Sequence, residues 1–256
     1  MYIYDYKTRL SAVLEKPSDF DAAGGCPMLL IIHGFTGNKD ERHIRGIAQA
    51  ANEAGYATLR VDMYGHGESD GKFRDHTLLK WLSNAMAAMD YIRSLEWVSD
   101  IYICGHSQGG LLVMMLAAVE RDSIKGLISL SPGVVIPEGA RKGYFPLQTD
   151  NPEIIPEIYD VWGRELCGNY IRIAKMINLD NVIAAYKGPV LMVHGDADET
   201  VPFNSSRESA EKYYNCKYVL IPGDSHCFDH HLDQLQTIIK QWLTQPEKHE
   251  DEGEIN

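Results

Sequence analysis

A serine between glycines, an acidic residue far along the chain and a late histidine are the residues whose types could do chemistry together here. The serine is Ser107, in Gly105-His106-Ser107-Gln108-Gly109-Gly110. A serine hydroxyl is a poor nucleophile at neutral pH, so it needs a base within hydrogen-bond reach and a third group to orient that base. Ten histidines compete for the part of base. His226 lies in a loop after one predicted strand and before a predicted helix, where it can project over a sheet edge as Ser107 does. His33, His66, His106 and His194 also lie near strand ends, but each sits in a glycine motif with a simpler structural role. His230 and His231 begin the last helix, and His43, His76 and His249 read as surface residues. For the acid, Asp198 follows a strand in a loop with room to reach His226. Asp196 in the same loop suits a turn or cap, and Asp224, close before His226, stays open as an alternative. Acyl transfer to serine also needs backbone N–H donors already aimed at the developing oxyanion. The N–H of Gln108, where a helix dipole adds positive potential, is one candidate, and the N–H of Phe35, in the loop after an earlier strand, is the other.

These residues need a frame. The apolar, β-branched run Ile101 to Cys104 enters the glycine motif, and Leu111 to Val119 continues as an almost unbroken apolar segment, the mark of a buried helix. Strand, sharp turn and helix then follow one another, with Gly105 and Gly109 placed where side chains on strand and helix would collide. Upstream, residues 2 to 15 alternate as two short edge strands, and Met28 to Ile32 reads as a central strand ending in His33-Gly34-Phe35-Thr36-Gly37-Asn38. Ile44, Ile47, Ala48 and Ala51 mark a helix closed by Gly55, and Tyr56 to Asp62 the next strand. Leu78, Leu82, Ala85, Met89 and Ile92 mark an amphipathic helix. Downstream come strands at Ile124 to Leu130, Pro189 to His194 and Lys217 to Ile221, a helix from about Pro202, and a closing helix marked by Leu232, Leu235, Ile239 and Trp242. Strands alternating with helices predict an α/β fold with a mostly parallel central sheet and helices on both faces. Residues 133 to about 185, with four prolines and few apolar runs, break the alternation and read as a small lid inserted over the carboxyl ends of the strands.

Bulk properties narrow the function. A chain of 256 residues, 45% hydrophobic and 23% charged, is long enough to bury a sizeable core as one domain spanning 1–246. The formal net charge of -12 argues against nucleic acid or an anionic membrane as partner. Part of it is local, because Glu247, Glu250, Asp251, Glu252 and Glu254 against Lys248 give an acidic tail over 247–256 that reads as disordered. The start has no basic region followed by an apolar stretch, and no apolar run is long enough to span a bilayer, so a cytoplasmic protein is expected. Cys26, Cys104, Cys167, Cys216 and Cys227 are scattered and never in C-x-x-C spacing, which disfavours both a disulfide framework and a zinc site. Oligomeric state is not legible.

His33-Gly34-Phe35, Asp62 with Gly65-His66-Gly67-Glu68-Ser69, the Gly105 to Gly110 motif, His194-Gly195 with Asp198 and Val201-Pro202, and the late His226 together resemble an α/β-hydrolase serine esterase. The order Ser107, Asp198, His226 is that of the class. More narrowly, His33 to Asn38, Gly-His-Ser-Gln-Gly-Gly and Ser69-Asp70-Gly71-Lys72-Phe73, with an insertion before the acid, are similar to bacterial cinnamoyl (feruloyl) esterases. The resemblance implies the α/β-hydrolase fold, cleavage of a small phenolic ester through an acyl-enzyme, and no metal or organic cofactor. It also implies a lid whose polar and aromatic side chains receive the phenolic ring, for which Gln148, Tyr159 and Trp162 are the candidates. Competing readings are a general carboxylesterase or monoacylglycerol-lipase-like enzyme, which a long amphipathic lid helix would favour, and a non-catalytic binding module on the same fold. A prolyl peptidase would need room for an accessory domain, and dehalogenase chemistry would need aspartate in place of Ser107.

Overall fold

The computed structural model describes residues 1–144 and 151–245, so Gln148 and the acidic tail lie outside the described residues. The chain begins with β1 (Tyr2–Asp5), β2 (Thr8–Glu15), β3 (Cys26–Ile32), α1 (Arg42–Glu53), β4 (Ala57–Val61), α2 (Leu78–Arg93), β5 (Val98–His106), α3 (Gln108–Val119) and β6 (Ile124–Leu130). The inserted region contains α4 (Ile136–Lys142), β7 (Ile158–Val161), β8 (Arg164–Cys167), α5 (Asn169–Met176) and α6 (Leu179–Ala185). It is followed by β9 (Val190–Gly195), α7 (Phe203–Ala210), β10 (Cys216–Ile221) and α8 (Leu232–Thr244).

Eight strands form one sheet in the order β1-β2-β4-β3-β5-β6-β9-β10. β1 and β2 pair antiparallel at one edge, β2 joins β4 antiparallel, and from β4 onward every pairing is parallel. Alternation along β3 shows why both faces must be covered. Met28, Leu30 and Ile32 enter one apolar cluster with side chains of α2 and α3, while Leu29 and Ile31 enter another with α1 and α8. Burying each such side chain contributes about 2 kcal/mol. Of the helices, α3 is the most enclosed, with every residue from Gln108 to Ala117 buried, which accounts for its continuous apolar sequence.

The insertion builds its own apolar cluster, in which Ile136, Val161, Leu166 and Tyr170 pack on Leu78, Leu111 and Met115 of the main body. β7 and β8 form an antiparallel hairpin separate from the main sheet. None of these elements was located individually from the sequence, because four- to eight-residue elements are too short to show a periodicity. Among the described residues, no helix is long and apolar enough to cross a membrane.

Candidate active site

Ser107 stands between β5 and α3 with φ 56° and ψ -120°, a conformation that L-residues rarely adopt. Its glycines permit the turn. A Cβ on Gly105 would lie 2.1 Å from the Gly109 carbonyl oxygen, and one on Gly109 would lie 2.4 Å from that of His33. The Ser107 amide donates to the Leu130 carbonyl (2.9 Å) and its own carbonyl accepts from Gly133 (2.8 Å), so the apex is pinned from β6 and from the start of the insertion.

His226 Nε2 lies 2.9 Å from Ser107 Oγ, and its Nδ1–H donates to Asp198 Oδ2 at 2.6 Å. The carboxylate takes further bonds. His194 Nε2 donates to the same Oδ2 at 2.8 Å, and the amides of Thr200 and Val201 donate to Oδ1 at 2.7 and 2.9 Å. His194 Nε2 faces two acceptors, Asp198 Oδ2 and the Val201 carbonyl at 3.1 Å, which makes it the donor. Burial works to raise the Asp198 pKa, but the hydrogen bonds from His194 and His226 outweigh it and hold the carboxyl far below the usual carboxylate range. Of the other acids, Asp224 is fully buried and its Oδ1 accepts from the amides of Ser225 and His230, while Asp196 accepts from the Gly223 amide as a turn residue. Neither is hydrogen-bonded to His226, whose ring bonds to Asp198 and Ser107. Geometry therefore separates the three acids.

The loop carrying Phe35 is fixed from several sides. His33 Nδ1–H donates to the Gly34 carbonyl (2.8 Å) and Nε2 accepts from the Met63 amide (3.0 Å), while burial drives its pKa down to about 3 and keeps it neutral. Asp62, at the end of β4, accepts from the Lys39 amide (2.7 Å) and Lys39 Nζ (2.9 Å). A Cβ on Gly34 would lie 3.2 Å from Ser107 Cβ, so the Phe35 backbone passes directly beside the serine. Among the described residues no backbone acceptor takes the Phe35 N–H, and Gln108, first in α3, has no intrahelical acceptor for its own. The two amides are available to a ligand.

Ser107, Phe35, Gln108 and His226 line a cavity of about 170 Å³, together with Glu41, His106, Ile136, Trp162, Tyr170 and Cys227. Trp162, at the tip of the β7–β8 hairpin with φ 53°, is 65% exposed and meets the Phe35 ring edge-on at 5.9 Å. Tyr159, the other lid candidate within the described residues, is packed half-buried in the insertion's apolar cluster and is not among the residues lining the cavity. Tyr170 takes that place instead, buried on α5 with its hydroxyl donating to Gln108 Oε1 at 2.6 Å.

Two histidines read as surface residues are interior. His76 is fully buried among Phe35, His66 and Trp81, with its pKa lowered to about 3 by burial first and then by His66. His43 is buried on α1 and its Nε2 lies 3.1 Å from His106 Nδ1, while His106 Nε2–H donates to the His226 carbonyl at 2.8 Å. Burial holds His43 neutral, its pKa lowered to about 4, and sets that of His106 well below the ordinary value. A signal for His43 existed: it shares the inward face of α1 with Ile47 and Ala50. Behind the catalytic candidates the chain thus runs His43, His106, His226.

A mostly parallel sheet carrying a strained serine at a strand–helix turn, hydrogen-bonded to a histidine and through it to a carboxylate in the order Ser, Asp, His, defines a serine hydrolase of the α/β class. The sequence model for the alpha/beta hydrolase fold family matches residues 27–163, and the chain belongs to that family. It is similar to the solved structure of Est1E from Butyrivibrio proteoclasticus with ferulic acid bound, at 51% identity and a TM-score of 0.93 over 96% of this chain and 98% of that one. A second structure of Est1E gives 48% identity and a TM-score of 0.89 over 95% and 96%. Among curated proteins, the thermostable monoacylglycerol lipase of Bacillus sp. (strain H-257) is 25% identical over 206 residues, covering 74% of this chain and 78% of that protein.

Proposed function

We propose that the chain is a serine carboxylic-ester hydrolase that cleaves hydroxycinnamate esters of the ferulate type. The observation that carries this reading is the hydrogen-bonded line from Ser107 Oγ through His226 to Asp198 on the wall of a small cavity faced by Phe35, Trp162 and Tyr170. Ferulic acid in the 51% identical Est1E supports the phenolic acyl group. Ser107 Oγ attacks the ester carbonyl as its proton passes to His226 Nε2, and Asp198 stabilises the imidazolium that results. The N–H groups of Phe35 and Gln108 take the oxyanion. Collapse breaks the ester C–O bond, His226 returns the proton to the departing alcohol, and the hydroxycinnamoyl group stays on Ser107 until water, activated by the same imidazole, releases the acid. A phenolic ring in the cavity meets the edges or faces of three aromatic residues. The five free cysteines support a reducing compartment, the cytoplasm.

The second reading, hydrolysis of aliphatic acyl esters, is favoured by the likeness to the monoacylglycerol lipase. Steady-state kinetics on methyl ferulate, methyl caffeate and short- and long-chain acyl esters test the two. Higher kcat/KM for the two phenolic esters than for long-chain esters is expected, and the reverse order would establish the second reading. A fluorophosphonate probe should label the wild type and not Ser107→Ala; an unlabelled wild type would leave only a binding module on this fold.

A further inference from the structure

We propose that His43, His106 and Cys227 form a binding site for a borderline-soft divalent cation, Zn²⁺, on the wall of the cavity, and that the bound ion inhibits the hydrolase. Each residue offers one ligand atom, and these atoms lie within 4.8 Å of one another. The residue types, two imidazoles and a thiol, are those that zinc prefers. Zn–N bonds of about 2.0 Å and a Zn–S bond of about 2.3 Å put tetrahedral ligand atoms roughly 3.3 to 3.7 Å apart. His43 Nε2 and His106 Nδ1 already stand 3.1 Å apart, so Cys227 Sγ has to close by at most about 1.5 Å, within reach of a side-chain rotation. His106 keeps its Nε2–H on the His226 carbonyl and offers the Nδ1 lone pair. Glu41 Oε2, 4.0 Å from His43 Nε2, brings a carboxylate to the same place. Glu41, His106 and Cys227 all face the cavity, which supplies an entry path. On coordination the Cys227 thiol proton leaves to solvent and the His43 ring proton moves from Nε2 to Nδ1, so that a thiolate and two neutral imidazoles hold the ion.

The spacing of the three residues, 63 positions between the histidines and a further 121 to the cysteine, matches no zinc motif, and only the fold joins them. Inhibition follows from charge. The His106 and His226 rings are 4.8 Å apart, so a cation on His106 opposes the positive charge that His226 must take up as base, and this part of the inference rests on the proposed role of His226.

Zinc binding to the purified chain is measured by competition with a chromophoric chelator, and hydrolysis of methyl ferulate is followed with added Zn²⁺ and then EDTA. One equivalent is expected to bind, with kcat/KM falling at least about tenfold and recovering in EDTA. Cys227→Ala and His43→Gln should each weaken binding by more than about 100-fold, beyond what loss of an outer hydrogen-bond partner does. Cys227 is only half-buried, so its variant keeps the test open if His43→Gln fails to fold. Ser107→Ala and His226→Ala should still bind the ion. Zinc binding that survives Cys227→Ala but is lost in His226→Ala would place the ion on the triad and overturn the site, as would no binding by a chain that hydrolyses methyl ferulate. Binding with the expected residue dependence but without inhibition would keep the site and overturn the inhibition.

Discussion

Asp198 accepts from two imidazoles and two backbone amides, so its carboxylate has one orientation and stays ionised wherever the chain is folded and the enzyme would be assayed. Replacing it with asparagine leaves an amide that favours the wrong tautomer of His226 and cannot stabilise its charged form. Asp198→Asn is expected to lose on the order of 10⁴ in kcat with an unchanged circular dichroism spectrum. Asp196, bonded to Gly223 at the surface, is the control, and its asparagine variant should stay within about threefold of wild type. Reversed effects in this pair would move the acid to Asp196. The contribution of His194 is of a different kind. It is hydrogen-bonded to neither Ser107 nor His226 but shares Asp198 Oδ2 with His226, and so fixes the direction of that carboxylate.

At the scale of elements, the turn between β5 and α3 and the hairpin over the cavity make opposite demands on stability. Gly109 faces the carbonyl oxygens of His33 and Ile32 at distances that no Cβ tolerates, 2.4 and 2.5 Å, and both obstacles are backbone. Gly109→Ala should therefore destabilise by roughly 3 kcal/mol or more, read from the urea midpoint, and an unchanged midpoint would mean that strand and helix are not in contact there. Trp162 is 65% exposed at a hairpin tip, where truncation removes little packing. Trp162→Ala is expected to raise KM for methyl ferulate several-fold, to spare 4-nitrophenyl acetate, which needs only the serine and the oxyanion donors, and to leave the melting temperature within about 2 °C. Equal losses on both substrates would make Trp162 a packing residue. Tyr159, set into the insertion's own cluster, should show the contrary pattern of lost stability with little change in substrate preference.

For the molecule as a whole, the buried histidines set a pH limit. His33 and His76 are lowered to about 3, His43 to about 4, and His66 and His106 in the same direction, in each case by burial first. Their folded values lie below the unfolded value of about 6.5, so the unfolded chain binds more protons between the two. The stability they represent is complete above pH 6.5 and is lost as pH falls below it. Each can remove up to about 1.4 kcal/mol per pH unit in that window, and Asp198, a depressed acid, adds a loss of the same sign below about pH 4. The urea midpoint should be nearly constant from pH 8 to 7 and fall steeply from pH 6.5 to 5. A midpoint that holds to pH 5 would show that these imidazoles reach water before the chain unfolds.

What could be read from the amino-acid order alone was whatever is local. Strands and helices of the main sheet announce themselves through runs and periods of apolar residues, and Ser107, Asp198 and His226 through their places just beyond predicted strands. Parallel strands then carry such loops to one edge, so the candidate triad and the two candidate oxyanion donors are named from element order without any knowledge of distances. The order of residues favours Asp198 over Asp196, which suits a turn, and leaves Asp224 open; only the tertiary structure shows which acid meets His226, because hydrogen bonds to different loops separate the three. It also turned His43 and His76 inward, exchanged Tyr159 for Tyr170 at the cavity and brought Cys227 to His43 and His106. The physical reason is the same in each case. Burial of a lone polar or aromatic side chain depends on partners tens of residues away, which leave no periodic trace in the chain that holds them.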